Sequence, residues 1–421
     1  MAAGPDRLTR RRLLAAGAWV LGGCAAPARG PSLGHVVVVG GGFGGASAAR
    51  QLRLSANVEV TLIEREAAFV SCPLSNLVVA GYRSLGDLMR GYERLTAIGV
   101  KLLRGEVVAI DVAAKALRLG DGSALRYDRL VLSPGVDFMA DEVPGLGAAL
   151  GSGRVVHAWK AGPQTLALRR QLEAMPDGGV VAISIPKMPY RCPPAAYERA
   201  CLVASHLRAA KPRSKLLLLD ANPEIQSKKA LFERAFAEQY AGLLEYRPDA
   251  ELREVAGGLA RFDFEDVKAD VLNVIPPQRA ADLARAAGLA NINQRWVGVD
   301  WLTMESTAAP GIHVLGDAVF PAPLMPKAGQ MANQHARIAA AAIVQSLKGE
   351  RPPPPPELTS TCYSFVTPTE AVHLASVHRY DVVEKAFHAV PGAGGLSAQA
   401  SVQEGREAWA WAERVWHDML G

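Results

Sequence analysis

Short apolar runs alternate with helix-forming stretches along the first part of the chain. Residues 35–39 form one apolar run, residues 46–54 form a helix-forming stretch, and residues 58–63 form the next apolar run. Alternation of this kind is typical of buried parallel strands that are joined by helices. The pattern therefore predicts a strand-helix-strand unit of a parallel α/β sheet.

A second unit of the same kind follows in the middle of the chain. Its predicted strands cover residues 179–185 and 215–219, its predicted helix covers residues 195–210, and Asp220 ends the second strand. Residues 186–194, between the first strand and the helix, contain four prolines and no glycine. Such a backbone cannot cradle a pyrophosphate, so NAD(P)H is not expected as the electron donor.

The first unit does carry a dinucleotide-binding pattern. Gly40, Gly42 and Gly45 form G-x-G-x-x-G between the first strand and its helix, and Glu64 follows the second strand. In this pattern the first glycine makes the turn, the second lets the pyrophosphate approach, and the third permits close packing of the helix. Glu64 is expected to accept hydrogen bonds from the ribose hydroxyls of the adenosine.

Two segments favour FAD over NAD as the nucleotide. Residues 311–317 read as a strand that ends in Gly316 and Asp317, ahead of an alanine-rich helix at residues 331–344. Residues 127–135 resemble the strand and turn by which a chain leaves an FAD domain. In flavoproteins with two dinucleotide-binding domains, an aspartate in the position of Asp317 binds the ribityl chain.

A chain of 421 residues is too long for a single core, so several domains are expected. We predict an α/β fold with two Rossmann-like dinucleotide-binding domains, arranged as in glutathione reductase, and a small C-terminal α+β domain. A proline-rich linker at residues 352–356 is expected to be stiff. The first predicted domain is a discontinuous FAD domain at residues 33–150 and 275–350. The second is a Rossmann-like domain without an NAD loop at residues 151–274, and the third is a C-terminal interface domain at residues 357–421.

The N-terminal segment resembles an export signal. Three arginines at residues 10–12 precede an apolar run at residues 13–23, and small residues follow at 26–28. The run has about half of the roughly 20 apolar residues that a membrane-spanning helix needs, so a cleaved twin-arginine signal over residues 1–28 and a periplasmic location are predicted. A lipoprotein processing site at Cys24 is an alternative. No other stretch is apolar enough to span a bilayer.

Charge and cysteine usage limit the remaining functions. Removal of residues 1–28 lowers the formal net charge from +5 to about +2, which gives no support to a nucleic-acid role. Four cysteines remain after the signal, and their spacing forms neither C-x-x-C nor C-x-x-C-H. Neither a metal site nor an attached c-type haem is therefore predicted in this chain; the four cysteines are Cys72, Cys192, Cys201 and Cys362.

Cys192 occupies the position where a second dinucleotide domain would have its glycine-rich loop. It lies just before the predicted helix, where the helix dipole and the neighbouring Arg191 would stabilise a thiolate. Glu198 follows in the first turns of that helix. A small buried side chain at Cys192 and a solvated one at Glu198 are the alternatives.

Four segments of the chain together resemble the flavoprotein subunit of flavocytochrome c sulfide dehydrogenase. The resemblance implies that Cys72 is linked covalently to the flavin 8α-methyl group and that Cys192 and Cys362 form a redox-active disulfide. It makes Glu198 a candidate acid or base, and it assigns no role to Cys201, which we expect to be buried. The segments are Ser71-Cys72-Pro73-Leu74-Ser75-Asn76, Tyr190-Arg191-Cys192-Pro193-Pro194 with Tyr197-Glu198-Arg199, Ile275-Pro276-Pro277-Gln278 and Thr361-Cys362-Tyr363-Ser364.

The family's chemistry implies that hydrosulfide attacks the disulfide, that one cysteine becomes a persulfide, and that the freed thiolate reduces the flavin. The sequence leaves open which cysteine is attacked first, although the helix N-terminus favours Cys192 as the more stable thiolate and better leaving group. Electrons would then pass to a c-type cytochrome, with the haem on the partner. A sulfide:quinone oxidoreductase and an accessory thiol-active flavoprotein of a thiosulfate-oxidising system are alternatives.

The predicted C-terminal helix bears on the choice of acceptor. Trp409, Trp411 and Trp416 are expected to serve core or dimer packing, and the many charged residues of the helix argue against a membrane-facing surface that would reach a quinone. An NADH-dependent disulfide reductase is disfavoured by the missing second glycine loop. The charged residues are Glu404, Arg406, Glu407, Glu413, Arg414 and Asp418.

Overall fold

The computed structural model describes Met1 and residues 31–421. The predicted export signal, apart from Met1, lies outside the described residues, as does Cys24. In chain order the strands are β1 (His35–Val39), β2 (Glu59–Glu64), β3 (Phe69–Val70), β4 (Met89–Arg90), β5 (Lys101–Arg104), β6 (Val107–Asp111), β7 (Ala116–Leu119), β8 (Ala124–Arg126), β9 (Arg129–Leu132), β10 (Val136–Phe138), β11 (Val155–Val156), β12 (Val180–Ile185), β13 (Lys215–Asp220), β14 (Leu244–Arg247), β15 (Leu252–Ala256), β16 (Leu259–Phe262), β17 (Asp266–Lys268), β18 (Val271–Val274), β19 (Gln278–Ala280), β20 (Val299–Asp300), β21 (Glu305–Ser306), β22 (Ile312–Val314), β23 (Leu358–Phe365), β24 (Ala371–Asp381) and β25 (Ala386–Leu396).

Helices connect most of the parallel strands and close the chain. Short 3₁₀ turns lie at Gly86–Leu88, Ala140–Glu142 and Gly316–Ala318. The α-helices are α1 (Phe43–Ser55), α2 (Ser75–Val79), α3 (Glu93–Ala97), α4 (Leu146–Gly151), α5 (Pro163–Ala174), α6 (Pro194–Ala210), α7 (Lys229–Gln239), α8 (Asp282–Ala286), α9 (Gly329–Lys348) and α10 (Val402–Leu420).

The first dinucleotide-binding unit is built on a seven-stranded sheet with the order β20-β21-β22-β9-β1-β2-β5. β1 lies between β2 and β9 and is parallel to both. Ligands of open α/β sheets bind beyond the carboxyl ends of the strands, at the point where the strand order reverses. The glycine-rich turn after β1 lies at this point.

The second unit repeats the plan with the order β11-β18-β12-β13-β14, and all of its strand pairs are parallel. β12 lies between β13 and β18, so the loop that carries Cys192 leaves the sheet at its own reversal point. The two sheets confirm the predicted α/β class with two Rossmann-like units.

The C-terminal unit consists of the antiparallel sheet β23-β24-β25 and helix α10. The buried face of α10 includes Ala408, Ala412 and Trp416, and the Trp411 indole N–H donates to Gln330 Oε1 at 2.9 Å. Packing is therefore the role of these aromatic side chains, as predicted. In the part of the chain that the structure describes, no helix is long and apolar enough to cross a membrane.

One helix boundary differs from the expectation. The periodicity predicts a helix from residue 46, yet α1 begins at Phe43. Gly44 and Gly45 lie in the first turn of the helix, where close packing leaves no room for a side chain. A Cβ on Gly45 would lie 1.8 Å from the Gly40 carbonyl oxygen. Tertiary packing outweighs the low helix propensity of glycine at these positions.

Candidate active site

The turn after β1 has the geometry of a dinucleotide loop. Gly40 has a φ of +94°, and a Cβ there would lie 2.4 Å from the Ser133 carbonyl oxygen. The Gly41 amide donates to Glu64 Oε2 at 2.6 Å, so Glu64 is fixed at the end of β2, beside the loop. Gly40, Gly45 and Glu64 are thus brought together as the sequence predicts.

Two observations show that these residues fit an FAD. A Cβ on Gly42 would meet no atom within 4 Å, unlike one on Gly40 or Gly45, so a ligand can approach the backbone closely there. Asp317 Oδ1 is buried and has no hydrogen-bond partner among the described residues. A buried carboxylate oxygen without a donor is costly, and a ribityl hydroxyl would supply that donor.

Cys192 lies two residues before α6, in the position that the sequence predicts. Its amide donates to the Lys327 carbonyl at 2.9 Å, and its own carbonyl accepts from the Ala195 amide at 3.0 Å. The first of these bonds ties the cysteine loop to the segment between Asp317 and α9. The cysteine is therefore held against the FAD domain.

Cys362 lies on β23 of the C-terminal unit and comes from a distant part of the chain. The structure brings it next to Cys192, close enough for each thiol to change the acidity of the other. Both are free thiols in the structure and both are half-buried. Cys201, on α6, is fully buried as expected.

The two thiols differ in acidity. The hydrogen bond that Cys362 accepts from Cys192 and the charge of Lys228 lower the pKa of Cys362 to about 6, against the effect of burial. The same hydrogen bond and burial raise the pKa of Cys192. The expectation that Cys192 is the more stable thiolate is therefore wrong, because a direct hydrogen bond and a nearby ammonium outweigh a helix dipole.

The hydrogen bonds of Arg191 go to groups other than Cys192, although its charge also interacts with that thiol. Its guanidinium donates to Cys72 Sγ at 3.4 Å and to the Trp159 carbonyl, and it lies 3.9 Å from the Asp317 carboxylate. The Ala161 amide also donates to Cys72 Sγ, at 3.4 Å. Arg191 thus links Cys72, the predicted flavin-binding cysteine, to Asp317, the predicted ribityl-binding aspartate.

Glu198 is buried, with about 6% of its surface exposed. Its carboxylate accepts from Asn76 Nδ2 at 2.8 Å and from the Phe365 amide at 2.9 Å. Burial raises the pKa of Glu198 to about 7, although both hydrogen bonds oppose that shift. A carboxyl group with this pKa can take up and release a proton near neutral pH.

In the second unit, the residue that would bind the ribose of a nucleotide is already hydrogen-bonded by other side chains. Asp220 ends β13, where an NAD-binding domain would place its ribose-binding acid, and it is fully buried. Its carboxylate accepts from Tyr197 at 2.7 Å, Tyr246 at 3.2 Å and Asn222 at 2.7 Å. The acceptor that a nucleotide ribose would need is already occupied.

Sequence reasoning missed two contributors to the site. Asn76 lies in a segment that supports the resemblance, but it had no predicted role, and Lys228 had no sequence signal. Lys228 Nζ lies 3.8 Å from Cys362 Sγ. In the described ranges there is no group of three or more His, Cys, Asp or Glu side chains that could hold a metal ion.

Three family models match the chain. Residues 34–171 match pyridine nucleotide-disulphide oxidoreductase, residues 165–276 match the central part of the sulfide dehydrogenase [flavocytochrome c] flavoprotein chain, and residues 354–420 match flavocytochrome c sulphide dehydrogenase, flavin-binding. The last two segments contain Cys192 and Cys362. These matches imply FAD as the cofactor.

Individual relatives agree with the models. The chain is 64% identical over 45 residues to the sulfide dehydrogenase flavoprotein chain of Chlorobaculum thiosulfatiphilum, covering 10% of this chain and 94% of that sequence. It is 25% identical over 299 residues to the mitochondrial sulfide:quinone oxidoreductase of Dictyostelium discoideum, covering 67% of this chain and 64% of that protein. The solved sulfide:quinone oxidoreductase of Aquifex aeolicus superposes with a TM-score of 0.75 at 19% identity, covering 92% and 91% of the two chains.

The fold and the cysteine pair define a flavoprotein oxidoreductase with two dinucleotide-binding units. The similarity to the Aquifex structure supports this fold alone. Within this class, the chain belongs to the family of flavocytochrome c sulfide dehydrogenase flavoprotein chains.

Gly42→Ala and Gly45→Ala are predicted to have different effects. Gly45→Ala places a Cβ 1.8 Å from a backbone oxygen and should lower the free energy of unfolding by about 3 kcal/mol. Gly42→Ala should leave the stability of the flavin-free protein unchanged and lower its flavin content. Thermal unfolding and flavin absorbance measure both effects, and equal loss of stability in the two variants would contradict the assignment.

Glu198 is predicted to make stability depend on pH. The folded protein keeps the Glu198 proton up to about pH 7, whereas the ordinary pKa of a glutamate side chain is 4.5. The unfolded state therefore binds fewer protons between these pH values, and stability falls by up to about 3 kcal/mol as pH rises through that window. The Tm of Glu198→Gln relative to wild type should rise from pH 5 to pH 8; parallel curves would refute the shift.

NADH is predicted not to reduce the flavin, because Asp220 is buried under Tyr197 and Tyr246. Anaerobic mixing with excess NADH should leave the flavin absorbance unchanged, while dithionite bleaches it. Rapid bleaching by NADH would show that the second unit still binds a nucleotide.

Proposed function

We propose that the protein oxidises hydrosulfide at Cys192 and Cys362 and passes the electrons through FAD to a c-type cytochrome. The observation that carries this proposal is the contact between the two thiols. The neighbourhood of Asp317, which is proposed to bind the ribityl chain, supports it, because Arg191 precedes Cys192 and lies 3.9 Å from Asp317. The family models on both cysteine segments agree.

The reaction starts from the disulfide of Cys192 and Cys362. Hydrosulfide attacks one sulfur, so that this cysteine becomes a persulfide and the other leaves as a thiolate. FAD supplies the chemistry of accepting two electrons and releasing them one at a time. Glu198, with a pKa of about 7, takes up the proton of the incoming sulfide or returns it, and a second hydrosulfide can release the sulfur as a polysulfide.

Cys72 is proposed to hold the flavin covalently. The Arg191 guanidinium and the Ala161 amide both donate to its sulfur, and Arg191 also approaches Asp317, the residue proposed to bind the ribityl chain. The resemblance to the family supports the same assignment. A mass increase of the denatured protein equal to that of FAD would test it.

The acceptor assignment rests on helix α10 and on the family. The buried face of this helix, which includes Trp416, Met419 and Leu420, packs against the rest of the chain. The exposed large apolar side chain on the helix is Val402, at its first residue, so the helix offers little apolar surface to a membrane. A cytochrome on another polypeptide would supply the haem. Twin-arginine export to the periplasm, where such a cytochrome would be met, remains a proposal that rests on residues 9–28.

A quinone is the second candidate acceptor. The similarity to the Dictyostelium sulfide:quinone oxidoreductase extends over 299 residues, far more than the 45 residues shared with the sulfide dehydrogenase chain. Val382 and Val383, at the tip between β24 and β25, are also exposed. An accessory thiol-active flavoprotein is the remaining alternative.

The cysteine pair is tested by anaerobic titration of the holoprotein with sulfide. The wild-type flavin should bleach, Cys192→Ser should stay oxidised, and Cys201→Ser should behave as wild type because Cys201 lies outside the pair. If the wild-type flavin ignores sulfide, the catalytic proposal fails and the accessory role takes its place.

The acceptor is tested in the same preparation. We expect sulfide to reduce soluble cytochrome c at steady state without added quinone, and a short-chain ubiquinone alone to sustain less than about a tenth of that turnover. The reverse order would assign the protein to the quinone reductases. Cys192→Ser should abolish either activity, which separates enzymatic turnover from direct reduction of the acceptor by sulfide.

A further inference from the structure

Lys228 is a buried lysine that has no role in the reaction proposed above. It lies immediately before α7 in the second unit, with only 6% of its surface exposed and a φ of +56°. A buried ammonium group is costly unless it is paired. Its neighbour Lys229 is half-exposed and pairs with Glu224 at 2.7 Å, so the two lysines lie in different environments.

The ammonium group of Lys228 reaches β23 in the C-terminal unit. Its Nζ donates to Ser364 Oγ at 2.8 Å and lies 3.8 Å from Cys362 Sγ. Cys362 and Ser364 are two residues apart on the strand, so their side chains point to the same side of the sheet. The strand therefore presents a sulfur and a hydroxyl together to one cation.

Among the residues that the structure describes, four side chains influence the pKa of Cys362, and one of them is a cation. They are the Cys192 thiol, the Lys228 ammonium and the Ser364 hydroxyl, and the Glu198 carboxyl interacts with Cys362 as well. Lys228 is the cation of this set. An opposite charge and hydrogen-bond donors at this range favour a thiolate over a thiol.

We propose that Lys228 and Ser364 hold Cys362 as the leaving thiolate, so that hydrosulfide adds to Cys192 and the persulfide forms there. This inference rests on the proposed function and adds a catalytic residue and an order of attack to it. The sulfur of hydrosulfide forms a new S–S bond to Cys192 Sγ as the Cys192–Cys362 bond breaks. Sulfide is oxidised, the disulfide is reduced, and the negative charge moves to Cys362.

Attack on Cys362 would instead make Cys192 the leaving thiolate, where the negative charge is less well stabilised. In thiol–disulfide exchange the better-stabilised thiolate leaves faster, and Cys362 has the ammonium of Lys228 at 3.8 Å, in a group that also includes the Ser364 hydroxyl. The charge of Lys228 also lowers the pKa of Cys192, but the hydrogen bond with Cys362, burial and the charge of Glu198 outweigh it there. Lys228 Nζ directly contacts the sulfur of Cys362, whereas Arg191 donates to Cys72 and to the Trp159 carbonyl. The ammonium of Lys228 therefore sets the direction of the exchange.

The thiolate is tested by alkylation of the dithionite-reduced holoprotein with iodoacetamide between pH 5 and 9, each cysteine being followed by peptide mass spectrometry. Cys362 should react about tenfold faster than Cys192 at pH 7. Lys228→Met should raise the midpoint for Cys362 by at least about one pKa unit, which means about tenfold slower reaction below the new midpoint. Lys228→Arg should retain most of the effect, and Lys229→Met should match wild type. An unchanged midpoint in Lys228→Met would overturn the proposal.

The order of attack is tested separately. The oxidised holoprotein is mixed with one equivalent of sulfide, quenched within milliseconds with excess iodoacetamide, and digested. The extra sulfur should be found on the Cys192 peptide; its presence on the Cys362 peptide would overturn the proposal. If Lys228→Met does not fold, two measurements still test the proposal. Ser364→Ala should raise the alkylation midpoint of Cys362, and the extra sulfur of the wild-type protein should be on the Cys192 peptide.

The two proposals fail in different ways. If sulfide does not reduce the flavin, the proposed function is wrong, although the alkylation profile can still show a Cys362 thiolate held by Lys228. If sulfide reduces the flavin but the persulfide appears on Cys362, sulfide oxidation stands and only the role of Lys228 is rejected.

Discussion

The active site depends on one buried carboxyl group that joins three parts of the chain. Glu198, on α6 of the second unit, accepts one hydrogen bond from Asn76 of the first unit and another from the Phe365 amide of the C-terminal unit. Displacement of either neighbour would leave a buried polar group without a partner, which is costly. Since Phe365 ends the strand that carries Cys362, the same contact sets where the second thiol meets the first.

Two of the sulfurs at the site, those of Cys72 and Cys362, are each contacted by a different cation. Arg191 contacts Cys72 and also approaches Asp317, whereas Lys228 contacts Cys362. The cations come from different loops of the second unit, one after β12 and one before α7. The unit that lost its nucleotide loop has thereby become the source of positive charge for chemistry on neighbouring units, and its two cations give the sulfurs different reactivities.

Local patterns in the sequence were sufficient for much of the fold. The strands at β1, β12 and β13, the glycine turn and Glu64 follow from periodicity and spacing, which act over a few residues. The contact of Cys192 with Cys362 was expected only from the family resemblance, because 169 residues separate the two along the sequence. The direction of the thiol acidities was wrong because it depends on Lys228, whose side chain reaches the site only through tertiary packing.

The tyrosines around Asp220 limit how the second unit could change. Tyr197 and Tyr246 donate to the carboxylate that a nucleotide ribose would otherwise engage, and Tyr197 belongs to the same helix as Glu198. Replacing the prolines of residues 186–194 by a glycine loop would therefore not recreate an NADH site, because the ribose position would still be filled. Clearing that position would disturb the helix that holds Glu198, so the predicted lack of an NADH site and the proposed thiol chemistry depend on the same helix.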